Sequence, residues 1–124
     1  MRALLVAAIV AAPLLTIHPA VAEAPSGALV LTRSAGGAQQ VVARLLCDPD
    51  VGSHPTPKQA CDLLRSVDGD LGRLADDPNW ICTKEYLPHR VTATGNWKGK
   101  AVRYARTFGN RCEMTAVTGE IFSF

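Results

Sequence analysis

The chain has 124 residues, 48% of them hydrophobic, and a formal net charge of +2. That length suits one domain. The charge is too small for the electrostatic footprint of a nucleic-acid-binding protein, so nucleic acid is excluded as a partner.

The chain opens on a short basic end, Met1-Arg2, and continues almost wholly apolar from Ala3 to Leu15, broken by Pro13. Ala20-Val21-Ala22 and Ala22-Glu23-Ala24 each place small residues at the −3 and −1 positions of a cleavage site. This is the pattern of a secretory signal peptide, and the apolar run is too short for a transmembrane helix. The expectation is a signal over residues 1–24, cut after Ala22 or Ala24, and a secreted, extracellular domain over residues 25–124 with no membrane association once the signal is removed.

Within the domain, Ala28 to Thr32 reads as a strand. Ser34 to Gly37 is a turn-rich gap. Gln40 to Cys47 alternates, with Val41, Ala43, Leu45 and Cys47 on one face. A loop rich in Pro, Gly and Ser runs from Asp48 to Pro55. The clearest helix follows. Thr56 is placed to cap, Pro57 fits the first helical position and Gln59 completes a capping box. Ala60, Leu63, Leu64 and Val67 form an apolar stripe, and Gly69 ends the helix. Leu71 to Leu74 reads as one further helical turn. His89 to Thr94 is a strand, Gly95-Asn96 a hairpin turn, Trp97 core, and Ala101 to Phe108 a long strand. Asn110-Arg111-Cys112 is a turn, and Ile121 to Phe124 a last strand. Together these predict an α+β domain with an antiparallel sheet of about five strands. The basic residues Lys98, Lys100, Arg103, Arg106 and Arg111 read as the solvated face of strands.

All four cysteines, Cys47, Cys61, Cys82 and Cys112, fall in the domain. An even number in an exported chain implies two disulfides. Four cysteines allow three connectivities, and sequence alone does not choose. The local pairing Cys47–Cys61 and Cys82–Cys112 is preferred because the first bridge would fix the helix to the end of a strand. Closing that loop of about 15 residues is worth roughly 3 kcal/mol by chain entropy. Metal binding is disfavoured, with no CxxC and only His54 and His89 in the domain, and no cofactor is expected.

The residues support no enzyme. Oxidised cysteines offer no thiolate, and no serine lies in a strained elbow. His54, in Ser53-His54-Pro55, reads as a structural hydrogen-bonder. The acidic residues Asp68, Asp70, Asp76 and Asp77 lack EF-hand spacing and read as a solvated face. The stretch Trp80-Ile81-Cys82-Thr83-Lys84-Glu85-Tyr86-Leu87-Pro88 is different. Cys82 anchors it, β-branched Thr83 favours extended geometry, and Leu87 is pushed the same way by Pro88. Such a segment displays Lys84 as a trypsin-like protease accepts a substrate. Held rigid, it could be an inhibitor, since preorganisation reduces the ordering cost of binding.

Several segments then carry a resemblance. They are Ala28-Leu29-Val30-Leu31-Thr32; Cys47-Asp48-Pro49 with Gly52 to Pro57 and Ala60-Cys61; Gly69-Asp70-Leu71; Cys82 with Tyr86 and Pro88; Gly95-Asn96-Trp97-Lys98-Gly99-Lys100; and Phe108 to Met114 with the Phe122-Ser123-Phe124 end. The chain resembles the Streptomyces subtilisin inhibitor family from about Ala24 onward. The resemblance implies secreted serine-protease inhibitors with an antiparallel sheet, two helices and two disulfides paired as preferred above. It places the reactive bond at Lys84–Glu85, with Lys84 at P1, Thr83 at P2, Cys82 at P3, Ile81 at P4 and Glu85 at P1′, followed by Tyr86 and Leu87. Asn110, beside Cys112, is expected to stiffen the loop from beneath. Trypsin-like and subtilisin-like proteases are the implied partners, and a homodimer through the sheet, with Val30 at the interface, is implied as well. The chain departs from the family where Leu87 follows Tyr86 in place of the more frequent Asp, and Glu85 puts a charge at P1′. The alternative from another class is an extracellular structural or cross-linking substrate protein, modified at Gln39, Gln40 and lysines.

Overall fold

The computed structural model describes residues 7–19 and 23–124. Residues 7–19 have no regular structure, and Ile9, Val10, Leu14, Leu15 and Ile17 are exposed there. The Met1-Arg2 end and the first cleavage motif, Ala20-Val21-Ala22, lie outside the described residues. Among the described residues no helix is long and apolar enough to cross a membrane.

One antiparallel sheet carries the fold. Its strands are β1 (Gly27–Ala35), β2 (Val41–Cys47), β3 (Val51–Gly52), β4 (His89–Trp97) and β5 (Lys100–Phe108), in spatial order β3-β2-β1-β4-β5. Two helices, α1 (Pro57–Ser66) and α2 (Arg111–Thr118), and a 3₁₀ turn at Leu71–Arg73 complete it. The five strands, two helices and both disulfides match the expected fold class. The alternation read in the strands sets the faces. Leu29, Leu31, Leu45, Val91, Ala93 and Val102 point into one core with Leu64, Met114, Ile121 and Phe122, and Ala43 is buried as well. The opposite face, with Val30, Val42, Arg44, Thr94 and Arg103, is uncovered.

Helix α1 begins as expected with Pro57 in its first turn, but the capping box is not used: Thr56 makes no side-chain cap bond. Its backbone N–H instead donates to His54 Nδ1 at 3.0 Å. At the other end, the Asp68 N–H donates to Arg65 O at 3.2 Å and the Gly69 N–H to Leu64 O at 2.8 Å. This is a Schellman closure with Asp68, at φ 50°, in the left-handed position. Gly69 follows it at φ 75°, where a Cβ would stand 2.3 Å from Trp97 Cγ. The glycine that stops the helix is therefore also the floor on which the buried Trp97 lies.

Three expectations are corrected. Gly95-Asn96 is not the hairpin turn. β4 runs through both residues to Trp97, and the turn is Lys98-Gly99, whose φ values of 47° and 79° supply the two positive angles that a tight two-residue turn needs. Asn110-Arg111-Cys112 is not a free turn but the start of α2, with Asn110 as its N-cap. Ile121 to Phe124 is not a strand: it is a turn followed by irregular chain, with Ile121 and Phe122 buried in the core.

The basic and acidic clusters also resolve into particular contacts. Lys98 sits in the hairpin turn and pairs with Asp68 at 3.4 Å, and Arg111 is on α2. Arg106 lies over the Phe108 ring at 4.5 Å. Asp68 accepts from Trp97 Nε1 at 3.1 Å and Asp70 from the Gly72 N–H at 3.1 Å. His54 is buried, and its Nδ1 accepts from Thr56, so Nε2 carries the proton and donates to the carbonyls of Glu120 and Ile121, each at 3.0 Å. It ties the entry of α1 to the C-terminal turn, the structural role read from its sequence context. His54→Ala is expected to lower the unfolding free energy by about 2–4 kcal/mol, the sum of a cavity and unpaired buried groups, measured by urea denaturation.

A displayed segment and its supports

The segment from Leu74 to Pro88 has no ladder of its own. Its backbone groups need partners from outside or water. Cys82 is joined to Cys112, the second residue of α2, with 5.7 Å between their Cα atoms. The other bridge, Cys47–Cys61, joins the end of β2 to α1.

Asn110 is the central support. It is 2% exposed. Its Oδ1 accepts from the Glu113 N–H at 2.9 Å, which caps α2. Its Nδ2 donates to Thr83 O at 3.1 Å and to Glu85 O at 3.0 Å. One side-chain amide thus fixes the carbonyls on both sides of Lys84. With both flanking carbonyls turned inward to Asn110, alternation along an extended backbone would turn that of Lys84 outward.

The side chains follow the same division. Ile81 is 93% exposed and Tyr86 82%. The Lys84 side chain is 87% exposed, with its Nζ 3.8 Å from Glu113 Oε1. Glu113 in turn accepts from the Gly109 N–H at 3.2 Å through Oε2. Glu85 accepts from the Thr83 hydroxyl, which, with its own backbone N–H, holds its carboxyl below the usual carboxylate range. Trp80 is half-exposed and donates from Nε1 to Cys112 Sγ at 3.3 Å, covering the disulfide. Beyond Tyr86, the Leu87 N–H donates to Gly109 O at 2.9 Å, and Pro88 O accepts from the Gly36 N–H at 2.8 Å. A cavity of about 360 Å³ beside the segment is lined by Trp80, Cys82, Lys84, Arg106, Phe108 and Glu113 among others.

The structure therefore brings together Ile81, Cys82, Thr83, Lys84, Glu85, Tyr86 and Leu87 on one exposed strip, with Asn110 and Cys112 beneath it. Val30 lies elsewhere, on the uncovered sheet face, 38% exposed. Sequence reasoning missed Glu113, Gly109 and Gly36 as supports. A signal for Glu113 existed: Asn110 followed three residues later by a glutamate is a capping-box pattern. The arrangement has no nucleophile with a base. What it can do is present an extended backbone and one cation in a fixed shape.

The family described as subtilisin inhibitor-like matches residues 24–110. The chain is 48% identical over 113 residues to subtilisin inhibitor-like protein 4 of Streptomyces lavendulae, covering 86% of this chain and 96% of that protein. It is 44% identical over 103 residues to subtilisin inhibitor-like protein 5 of Streptomyces fradiae, covering 78% and 96% respectively. Among solved structures it is similar to Streptomyces caespitosus sermetstatin in complex with Bacillus licheniformis subtilisin, with a TM-score of 0.62 and 36% identity over 78% of this chain and 97% of that one.

The two jobs of Asn110 are separable by substitution. Asn110→Asp keeps an acceptor for the Glu113 N–H but sets a carboxylate oxygen against two carbonyl oxygens. Asn110→Ala removes both functions and about 1 kcal/mol of capping. In the aspartate variant, amide exchange at Glu113 is expected to stay slow while NMR order parameters of residues 83–85 fall toward flexible values. In the alanine variant both should change.

Proposed function

This chain belongs to the subtilisin inhibitor-like family, and from that premise we propose that it inhibits subtilisin-like and trypsin-like serine endopeptidases, with Lys84–Glu85 as its scissile bond. The family is one of protease inhibitors, and the protein is not an enzyme. The observation that carries the reading is the grip of Asn110 on the carbonyls of Thr83 and Glu85 beneath an exposed Lys84.

In this reading Lys84 enters the S1 pocket. In a trypsin-like protease its ammonium meets an acid at the pocket floor, while subtilisin-like pockets tolerate its long chain. The outward carbonyl of Lys84 meets the oxyanion hole. Ile81 to Thr83 on one side and Glu85 to Leu87 on the other line the protease cleft. The bridge from Cys82 to Cys112 and the two bonds from Asn110 keep the segment in shape before and after a cut, so religation competes with release.

Three further readings belong to the same proposal. Residues 1–24 act as a secretory signal and residues 25–124 work outside the cell. The uncovered sheet face, with Val30 near its middle, pairs two copies into a homodimer. Sedimentation at micromolar concentration tests this last reading, and a monomer there would overturn it.

The function is tested by titrating trypsin and subtilisin with the purified protein and analysing the mixtures by mass. Stoichiometric loss of activity with a slow cut at Lys84–Glu85 is expected. Rapid cutting with no loss of activity would make the segment a substrate only. Lys84→Ala is expected to weaken trypsin binding by about 2–5 kcal/mol, as for one half of a buried charge pair, with a smaller loss against subtilisin.

A further inference from the structure

We propose that Gly36 and Leu87 form a clamp that retains the amine released when the Lys84–Glu85 bond is cut, and so decides whether the bond is resealed or lost. The inference rests on the inhibitor reading above and concerns the half of the segment that the Cys82–Cys112 bridge does not hold.

The chemistry sets the requirement. Attack of the protease serine oxygen on the Lys84 carbonyl forms an ester and breaks the Lys84–Glu85 bond. The serine proton passes through the protease histidine to the Glu85 nitrogen, which leaves as an amine. Resealing is the reverse: the amine attacks the ester, its proton returns to the serine oxygen, and the peptide bond re-forms. Water attacking first leaves a free Lys84 carboxylate and a nicked chain. The competition depends on how closely the amine is held to the ester, since fixed geometry makes its attack effectively unimolecular.

After the cut, the acyl side remains tied by the disulfide and by Asn110 at Thr83 O. The amine side has only its own contacts. Glu85 O is held by Asn110 at 3.0 Å. The Leu87 N–H donates to Gly109 O at 2.9 Å, and Leu87 O accepts from His89 Nδ1 at 2.9 Å. Pro88 O accepts from the Gly36 N–H at 2.8 Å. Gly36 lies in the turn joining β1 to β2, at φ 54°. A Cβ there would come 2.6 Å from Leu87 Cδ1, so the leucine rests directly on the bare glycine backbone. Tyr86, between the held residues, stays in solvent. The turn of an otherwise remote hairpin is thereby a positioning element for the scissile bond. Leu87 supplies the side chain that seats on it.

The test compares wild type, Leu87→Ala, Leu87→Met and Gly36→Ala with trypsin and subtilisin. For each, the inhibition constant is measured for intact and nicked forms, with the rate at which catalytic protease reseals the nicked form. Leu87→Ala and Gly36→Ala are expected to shift the balance of resealing against hydrolysis by about tenfold toward hydrolysis, a change that corresponds to one or two modest contacts. Leu87→Met, which can still cover the glycine, should stay near wild type. Unfolding midpoints taken on the same samples separate this shift from a general loss of stability. An unchanged balance in both Leu87→Ala and Gly36→Ala overturns the clamp. So does a Leu87→Ala variant whose intact and nicked forms lose affinity equally with the balance unchanged, because that marks a simple protease contact. Failure of the wild type to inhibit either protease overturns the inhibitor reading itself, and the clamp with it.

Discussion

A backbone that lies outside any helix or sheet must find partners for its carbonyls elsewhere, and here the two carbonyls that flank Lys84 depend on one side chain. Asn110 is the cap of α2 and the brace of the Lys84 segment at once. The cap fixes where the amide sits, because the Glu113 N–H orients its oxygen. The nitrogen is then left facing the segment. A helix of eight residues thus becomes a rigid mount, with the Cys82–Cys112 bridge as its second fastening two residues further on. Rigidity in the segment is borrowed from packed structure beneath it, since Met114 and Val117 of the same helix are core residues.

Much of this was legible in the sequence, for reasons that can be named. The alternation in β2 and the Pro57 helix start are local signals, and Ala43, Leu45, Cys47, Ala60 and Leu64 are buried as they imply, while Val41 at the start of β2 is exposed. Sequence left three cysteine connectivities open, and the one preferred because Cys47 stands at a strand end and Cys61 on a helix is the one observed. What failed were features decided by distant contacts. Helix α2 is only eight residues long, and its start has the composition of a turn; its short apolar face, Met114 and Val117, is defined by the core it covers. Phe122 and Phe124 look like a strand end until the Arg33 side chain, which stacks on Phe124 and bonds its carbonyl, and His54 draw the tail inward. Gly95-Asn96 carries a turn composition, but the neighbouring Lys98-Gly99 fits the two-residue geometry and leaves β4 in register with β1.

For the site, residue chemistry alone offered an anchored cysteine and an exposed lysine. The resemblance named the bond, and the comparisons establish the family. Neither spoke to the clamp at Gly36, because a backbone hydrogen bond between a hairpin turn and a residue some fifty positions away leaves no trace in composition or spacing. Glu85 is a similar case. Its charge is visible in the sequence, while its engagement by the Thr83 hydroxyl two residues earlier, which keeps it ionised to lower pH, is a matter of local geometry.

The order of the strands leaves the sheet with two very different margins. On one side β3 is two residues long, too short to template a neighbour. On the other β5 offers nine residues, but Lys100, Arg103 and Arg106 line it. Short margins and basic side chains both discourage a further strand from joining in the plane. Fibrous growth by strand addition is thereby closed off in both directions, and the remaining route by which two such sheets can meet is stacking, broad side to broad side.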